Sequence, residues 1–477
     1  MNALTFWDLL ACAPPERVAL WAPEPLRYAA LRERSEDLAG ALVAAGVRAG
    51  DRVGVHLPPS VDEVAALFAV ARLGAVMVPL PAQLPLAQVL SPLQDCGAVA
   101  TLCAGPRAAE LPGAIDVAGP LSPGVLPPPP EDPEALAAVL YTSGSTGAPK
   151  GVMHAHRSLL CCARGVSQYL SLSAEDRLLG LLPLSFHYGM SQVTSAFTVG
   201  ASVVLAPSSF PSEVFRCMAE VSVAAGVPLS WGQLVRVIEQ TGPPPRLRLI
   251  TIAGGGASAA LLDRLDRALP GVQIVLMYGF TEALRATYLP PERYADKRGA
   301  MGLPVPDARL EVVREDGSPC EADELGELVQ RGALLGLGYW NQPAATAERW
   351  RSRGGEPACY SGDLVRQDRD GFFWFAGRKD GVIKTGGYRV GPGEIEDLVL
   401  ASGLVGEVVA FGVPDPDRGQ AVELAIEAGD PEALMAWCRR KLPHWMAPRR
   451  IHRLELPRRP NGKLDRAELL RRCIGGS

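Results

Sequence analysis

Strand-like and helix-like segments alternate along roughly the first 370 residues, and that alternation constrains the fold more than any other feature. Short apolar runs read as strands: RVGVHLP (52–58), AAVLYTS (137–143), SVVLAP (202–207), RLITIAG (248–254) and QIVLMYG (273–279). Between them lie stretches with helical spacing, such as VDEVAALFAVARLGA (61–75) and SAALLDRLDRAL (258–269). This order implies mainly parallel sheet with covering helices. Around 377–393 the texture changes to GRKDGVIKTGGYRVGPG. The tail then reads as strand (GEVVAFGVP), helix (PEALMAWCRRKL), strand (RIHRLELP) and closing helix (KLDRAELLRR). The expected fold class is α/β: a large N-terminal α/β domain with mixed sheets, residues 1–379, and a small α+β C-terminal domain, residues 380–477, with the boundary near Asp380. The proline run at 127–130 is read as a surface connection inside the first domain.

Composition narrows the function. The chain has 477 residues, 48% apolar and 21% charged, which suits a globular protein able to bury a large core. A net charge of −5 gives no reason to expect nucleic acid as a partner. The ten cysteines include no CxxC pair and are expected to be reduced, mostly buried thiols in a cytoplasmic protein. The N-terminus, MNALTFWDLLACAPP, lacks a basic start and is interrupted by Asp8, so it is not expected to be a signal peptide. Residues 178–212 are free of formal charge apart from His187, but Pro183, Gly189 and a cluster of hydroxyl residues break the run. A buried helix, a turn and a buried strand are expected there rather than a membrane span.

The richest segment is YTSGSTGAPKGV, 141–152. Thr142, Ser143, Gly144, Ser145, Thr146 and Gly147 follow a strand and precede Lys150. Glycines and hydroxyls let backbone N–H groups converge on phosphate oxygens without steric conflict, and the lysine adds a point charge. A Walker A loop is excluded, because Pro149 and Gly151 flank the lysine.

This segment resembles the signature of the adenylate-forming superfamily, which includes acyl-CoA synthetases, peptide-synthetase adenylation domains and luciferase. YGFTEA (278–283), GEL (326–328), YSGDL (360–364), GRKDGVIKTGGYRV (377–390) and PNGKLDR (460–466) follow in the family's order, so the resemblance spans essentially the whole chain. The pattern is most similar to AMP-forming acyl-CoA ligases. It implies a two-step reaction: a carboxylic acid attacks MgATP to give acyl-AMP and pyrophosphate, and a thiol then takes the acyl group. ATP, Mg²⁺ and a thiol from CoA or phosphopantetheine are the implied cofactors and co-substrates.

The resemblance also implies site residues. The 142–150 loop would hold the β- and γ-phosphates. Thr281 would touch the α-phosphate and Glu282 would orient Mg²⁺. Tyr278 and Gly279 belong to the same nucleotide-binding motif, with Gly279 also in the acyl pocket. Asp363 would accept the ribose hydroxyls, with Arg378 supporting the ribose. Lys463 would reach into the site from a mobile small domain. Asp380 occupies the hinge position, and Gly386 and Gly387 would line the thiol approach. Alone, Asp363 and Glu282 are also readable as ordinary exposed acids, and Lys463 as a helix-start lysine.

Three features remain open in the sequence. GGGASA (254–259) fits the GxGxxA dinucleotide fingerprint, but the following strand does not end on the required acid. The family resemblance implies instead that Gly254, Gly255 and Gly256 line the acyl pocket and adenine face, and a dehydrogenase is the weaker reading. His187, in SFHYGMS, stands where amino-acid-activating relatives place an aspartate for the substrate ammonium. This favours an acid without an α-amino group, with His187 and Tyr188 at the acyl pocket; the alternative is that His187 is only a packed histidine. Trp231 either ends that pocket, selecting a short or aryl acid, or packs in the core behind it. From Arg439 to Arg472, 12 basic residues face only Glu455, Asp465 and Glu468. They form either a solvated face or a dock for CoA phosphates or an acidic carrier protein. The expected partners are thus a small carboxylic acid and CoA, or a carrier on a separate chain, with no nucleic acid and no membrane. A non-catalytic nucleotide-binding protein is a further alternative.

Overall fold

The computed structural model describes residues 4–22, 24–142, 150–206, 209–379, 381, 383–385, 388–415, 419–459 and 464–474. Two large sheets build the N-terminal part. The first orders its nine strands Leu303–Pro304, Thr287–Tyr288, Gln273–Tyr278, Leu249–Ile252, Val223–Gly226, Arg177–Gly180, Ser202–Leu205, Val18–Ala22 and Glu24–Arg27. Its central strands are parallel, and the edge strands Glu24–Arg27, Thr287–Tyr288 and Leu303–Pro304 are antiparallel. The second sheet has seven strands and a parallel middle, with Leu136–Thr142 and Lys150–Ala155 forming an antiparallel hairpin.

The helix Val61–Arg72 shows why the sheets hold together. Ser60 caps it by accepting the Glu63 N–H at 3.2 Å, and EVAALFAVAR is buried on every face. A helix that is apolar all round has to sit inside. Phe68 from it meets Phe6 and Phe197 at ring-centroid distances of 4.8 and 5.8 Å, within the largest apolar cluster. The uncharged run at 178–212 resolves into the buried helix His187–Thr198 and the strand Ser202–Leu205, as expected. No helix among the described residues is long and apolar enough to cross a membrane.

The structure corrects one expectation about order. Helix–strand alternation stops near Tyr278 rather than near 370. Residues 308–378 form instead a five-stranded antiparallel sheet: Ala308–Val313, Gly326–Gly332, Trp350–Arg353, Glu356–Gln367 and Phe373–Arg378. The cause is visible in ARLEVVREDGSPCEADELGELVQRG, where an Asp316-Gly317 turn folds the chain back after Val313 and the short polar connection to Gly326 carries no helix, so the two strands pair antiparallel.

The last part has its own sheet, built from Ile383–Thr385, Tyr388–Val390, Val408–Asp415, Gly419–Ile426 and Arg450–Arg453, with its own apolar cluster around Ile395, Leu424 and Leu434. Helices Pro392–Leu400, Pro431–Lys441 and Arg466–Ile474 complete it. It meets the preceding sheet where Gly391 passes the backbone of Ala376. A Cβ on Gly391 would lie 1.9 Å from the Ala376 carbonyl oxygen, so only glycine fits there.

Candidate active site

Part of the candidate site lies just past the carboxyl end of a parallel strand, where open α/β sheets bind ligands. Strand Gln273–Tyr278 ends at Gly279, and the chain turns sharply through Thr281–Ala283. A Cβ on Gly279 would lie 2.2 Å from the Leu284 carbonyl oxygen, so this glycine permits the turn to close on itself. Leu284 takes a φ of +55° and a ψ of −69°, and the Arg285 N–H donates to the Ala283 carbonyl at 2.6 Å. This is a γ-turn of the rare, strained positive-φ kind. Such strain persists where surrounding contacts fix the backbone, and often at functional turns.

Those contacts are visible. The Thr281 carbonyl lies 2.8 Å from His154 Nε2. His154 is fully buried, and desolvation lowers its pKa to about 4, so the ring is neutral and donates to that carbonyl. The Glu282 carbonyl accepts the Gly336 N–H at 2.8 Å. The Glu282 carboxylate accepts the Tyr339 hydroxyl at 2.6 Å. Lys150 Nζ lies 5.2 Å from the centre of the Tyr339 ring. The base of the Gly/Ser/Thr loop and Glu282 therefore meet across one tyrosine. Thr142 and Lys150 face each other in register at that base. Ser143, Gly144, Ser145, Thr146 and Gly147 lie outside the described residues.

A second carboxylate stands nearby. Asp363, on strand Glu356–Gln367, is 4% exposed. The Tyr278 hydroxyl donates to its Oδ2. Arg378, opposite it in register, brings Nη1 within 3.0 Å of Oδ1 as an ion pair. That contact is not an aligned hydrogen bond, so Oδ1 remains a buried acceptor without a hydrogen-bond donor. Burial raises the Asp363 carboxyl above its ordinary value, against the opposing pull of Arg378 and Tyr278. The turn before it is held by Glu327 of the GEL segment, which accepts the Gly362 N–H at 3.0 Å and pairs with Lys379 at 2.9 Å.

Sequence reasoning missed three residues here. Tyr339 orients Glu282. Arg349 donates to the Tyr360 carbonyl at 3.0 Å and also bonds to Tyr339, the tyrosine that holds Glu282. The third is Arg285, whose guanidinium is only 1% exposed. Its signal was a charge inside an otherwise apolar strand-end run, ALRATYL.

The remaining expected residues fall into two groups. Gly254, Gly255 and Gly256 form an exposed bend after strand Leu249–Ile252, with Gly254 at φ +80°. A Cβ on Gly256 would meet nothing within 4 Å and one on Gly255 only Pro228 at 3.5 Å, so this bend is open space. His187 is half-buried at the start of its helix. Tyr188 is buried and its hydroxyl lies 2.7 Å from Thr251 Oγ1. Trp231 is fully buried, donates its indole N–H to the Thr251 carbonyl at 3.0 Å and packs among Leu179, Ile250 and Ile252. That is the geometry of a core side chain behind the strand. Asp380, Gly386, Gly387 and Lys463 lie outside the described residues.

The residues fit the ligands the sequence implied. An orphaned buried acceptor at Asp363 suits ribose hydroxyl donors. A single accessible carboxylate at Glu282 suits Mg²⁺, which binds through one or two carboxylates plus phosphate oxygens. All ten cysteines are free thiols.

Comparison with known proteins agrees with this geometry. Residues 10–340 match the family described as AMP-binding enzyme, and residues 394–463 match the AMP-binding enzyme C-terminal domain. The sulfoacetate–CoA ligase of Cupriavidus necator is 31% identical, over 98% of this chain and 99% of that protein. The L-proline–[L-prolyl-carrier protein] ligase of Pseudomonas fluorescens is also 31% identical, over 98% of both. The phenyloxazoline synthase MbtB of Mycobacterium sp. is 32% identical over 98% of this chain, which spans only 42% of that longer protein. Among solved structures, o-succinylbenzoate CoA synthetase from Bacillus subtilis, in complex with its acyl-adenylate intermediate, superposes with a TM-score of 0.88 at 27% identity over 98% of both chains. Matched in sequence over both parts and in fold over nearly its whole length, the chain belongs to the AMP-binding enzyme family.

Proposed function

We propose that the protein activates a carboxylic acid with ATP as an acyl-adenylate and transfers the acyl group to a thiol, with CoA as the acceptor. The observation that carries this reading is a pair of tyrosine-held carboxylates: Glu282, inside the Thr281–Ala283 turn and tied through Tyr339 to Lys150 at the loop base, and Asp363, bonded to Tyr278 at the end of the strand leading into that turn. In this reading Asp363 and Arg378 hold the ribose, and Tyr278, Gly279 and Gly254–Gly256 face the adenine and acyl group. Thr142–Gly147 and Lys150 take the β- and γ-phosphates, and Thr281 takes the α-phosphate. Bound Mg²⁺ at Glu282 would supply charge neutralisation on the phosphate oxygens. Fixed N–H donors and Lys463 stabilise the charge that develops during attack. The parts split into residues 1–379 and 380–477, with Asp380 as hinge, so that Gly386 and Gly387 line the thiol approach after the small domain turns.

A short or aryl acid is favoured, as the o-succinylbenzoate CoA synthetase among the relatives supports; Trp231 packs in the core behind Thr251 and carries no part of that reading. His187, in place of an acidic partner for an ammonium, disfavours α-amino acids. The L-proline ligase among the relatives supports the second reading, in which a phosphopantetheine-bearing carrier protein is the acceptor and the acid is an amino acid. The free thiols support a cytoplasmic setting. ATP–pyrophosphate exchange across a panel of carboxylic and amino acids tests the reading. Acid-dependent exchange is expected, strongest with acids that lack an α-amino group. Exchange driven best by a free amino acid would favour the carrier-charging alternative.

A further inference from the structure

The buried guanidinium of Arg285 has no carboxylate partner among the described residues. Its neighbours are Ser191 Oγ at 3.3 Å from Nη2, the Cys162 thiol, the Tyr188 ring at 5.0 Å, and Tyr169. Its Nε is buried without a hydrogen-bond partner. A buried cation balanced only by neutral groups is costly, and a methionine of similar length would fill the space without that cost. The charge therefore needs a reason beyond packing.

The surroundings suggest one. The helix face that meets Arg285 is polar: Tyr188, Ser191, Gln192 and Ser195 recur at i, i+3, i+4 and i+7 of His187–Thr198. Gln192 Oε1 and Ser195 Oγ are also buried without partners. Arg285 packs against two residues assigned above to the acyl pocket. Tyr188 covers its guanidinium, and a Cβ on Gly279 would lie 3.0 Å from its Cα. A polar stripe and an unbalanced cation are a poor match for an alkyl chain and a good one for an anion. The surface cavity of about 630 Å³ beyond Tyr169 does not provide the anion's route, since Asp266 and Glu292 line it.

We propose that Arg285 is the specificity-determining residue of the acyl pocket and receives a second anionic group, a carboxylate or sulfonate, on the substrate acid. The proposal rests on the adenylation reading and names its substrate class. Pyrophosphate exchange with matched pairs tests it: succinate against butyrate, glutarate against valerate, phthalate against benzoate. The wild-type protein should favour at least one diacid by about 10² in kcat/KM, the scale for a site that rejects an analogue lacking its polar group. Arg285→Met should bring that ratio to within a few-fold of one, and Arg285→Lys should restore part of it. The wild-type comparison decides even if Arg285→Met fails to fold. Single acids that match or outperform diacids in every pair overturn the proposal alone. A ratio unchanged in folded Arg285→Met overturns it too. Exchange with no acid of either series removes the adenylation reading and the proposal together.

Discussion

Glu282 and Asp363 are held in the same way and placed in opposite surroundings. Each accepts a tyrosine hydroxyl from a residue far along the chain, Tyr339 for Glu282 and Tyr278 for Asp363. Glu282 is half-exposed beside Lys150, whereas Asp363 is 4% exposed, with its carboxyl raised by burial. A phenol donor fixes the direction of a carboxylate without neutralising it, so the surroundings decide its use. In the open position the charge remains available to a cation. In the closed position the oxygens act as acceptors for neutral hydroxyls, and Arg378 limits the cost of burying them.

The contrast breaks most sharply at the open carboxylate. Glu282→Gln keeps the shape and the tyrosine contact but removes the charge. Adenylation should fall by roughly 10²–10³, the scale for losing one transition-state electrostatic group, with the KM for ATP changed far less. Steady-state exchange at saturating ATP and Mg²⁺ measures it. Lys463→Ala should produce a similar loss in adenylation while thioester formation from supplied acyl-adenylate survives, which separates the phosphate side of the site from the thiol side.

At the closed carboxylate the expected effect is smaller and of a different kind. Asp363→Asn should raise the KM for ATP by about tenfold to a hundredfold, with kcat reduced less, because binding common to ground and transition states is lost. A fall in kcat as steep as that of Glu282→Gln, at unchanged KM, would make the two carboxylates equivalent.

A third carboxylate sharpens the comparison through pH. Glu63 is buried with no cation paired to it among the described residues, and desolvation raises its pKa to about 8. Its folded pKa is above its unfolded value, so its contribution to stability is full below about pH 4.5 and is lost as pH rises through about 8. Glu63→Gln should therefore flatten the decline in stability over that window by a few kcal/mol. Urea unfolding at several pH values reads this directly, and an unchanged slope would mean that Glu63 is solvated. The smallest effect belongs to Tyr339→Phe. Glu282 keeps its charge and loses one orienting bond, so exchange should slow by only several-fold.

Much of this was legible in the chain. The family resemblance carried by YGFTEA, YSGDL and GRKDG implied one site for Tyr278, Glu282, Asp363 and Arg378, and the contacts of Asp363 with Tyr278 and Arg378 bring most of that group together. What the sequence could not supply was pairing. Tyr339 lies 57 residues from Glu282 and Tyr278 lies 85 residues from Asp363, and nothing local distinguishes a tyrosine that bonds a carboxylate from one that packs. Trp231 shows the same limit. Its place after Val-Pro was readable, but its burial against Thr251 depended on which strand the helix covers. The antiparallel sheet of 308–378 was misread because its strands, ARLEVV and WRSR among them, alternate polar and apolar residues and lack the continuous apolar runs that marked the parallel strands.

Oxygen transfer tests the adenylate reading most directly. If a carboxylate oxygen attacks the α-phosphorus, an acid labelled with ¹⁸O in its carboxylate should leave one labelled oxygen in the AMP released after thiol transfer, and none in pyrophosphate. Mass spectrometry of the AMP from a single-turnover reaction reads the result. Unlabelled AMP, with the label recovered in inorganic phosphate or retained wholly in the acyl product, would contradict acyl-adenylate formation at this site.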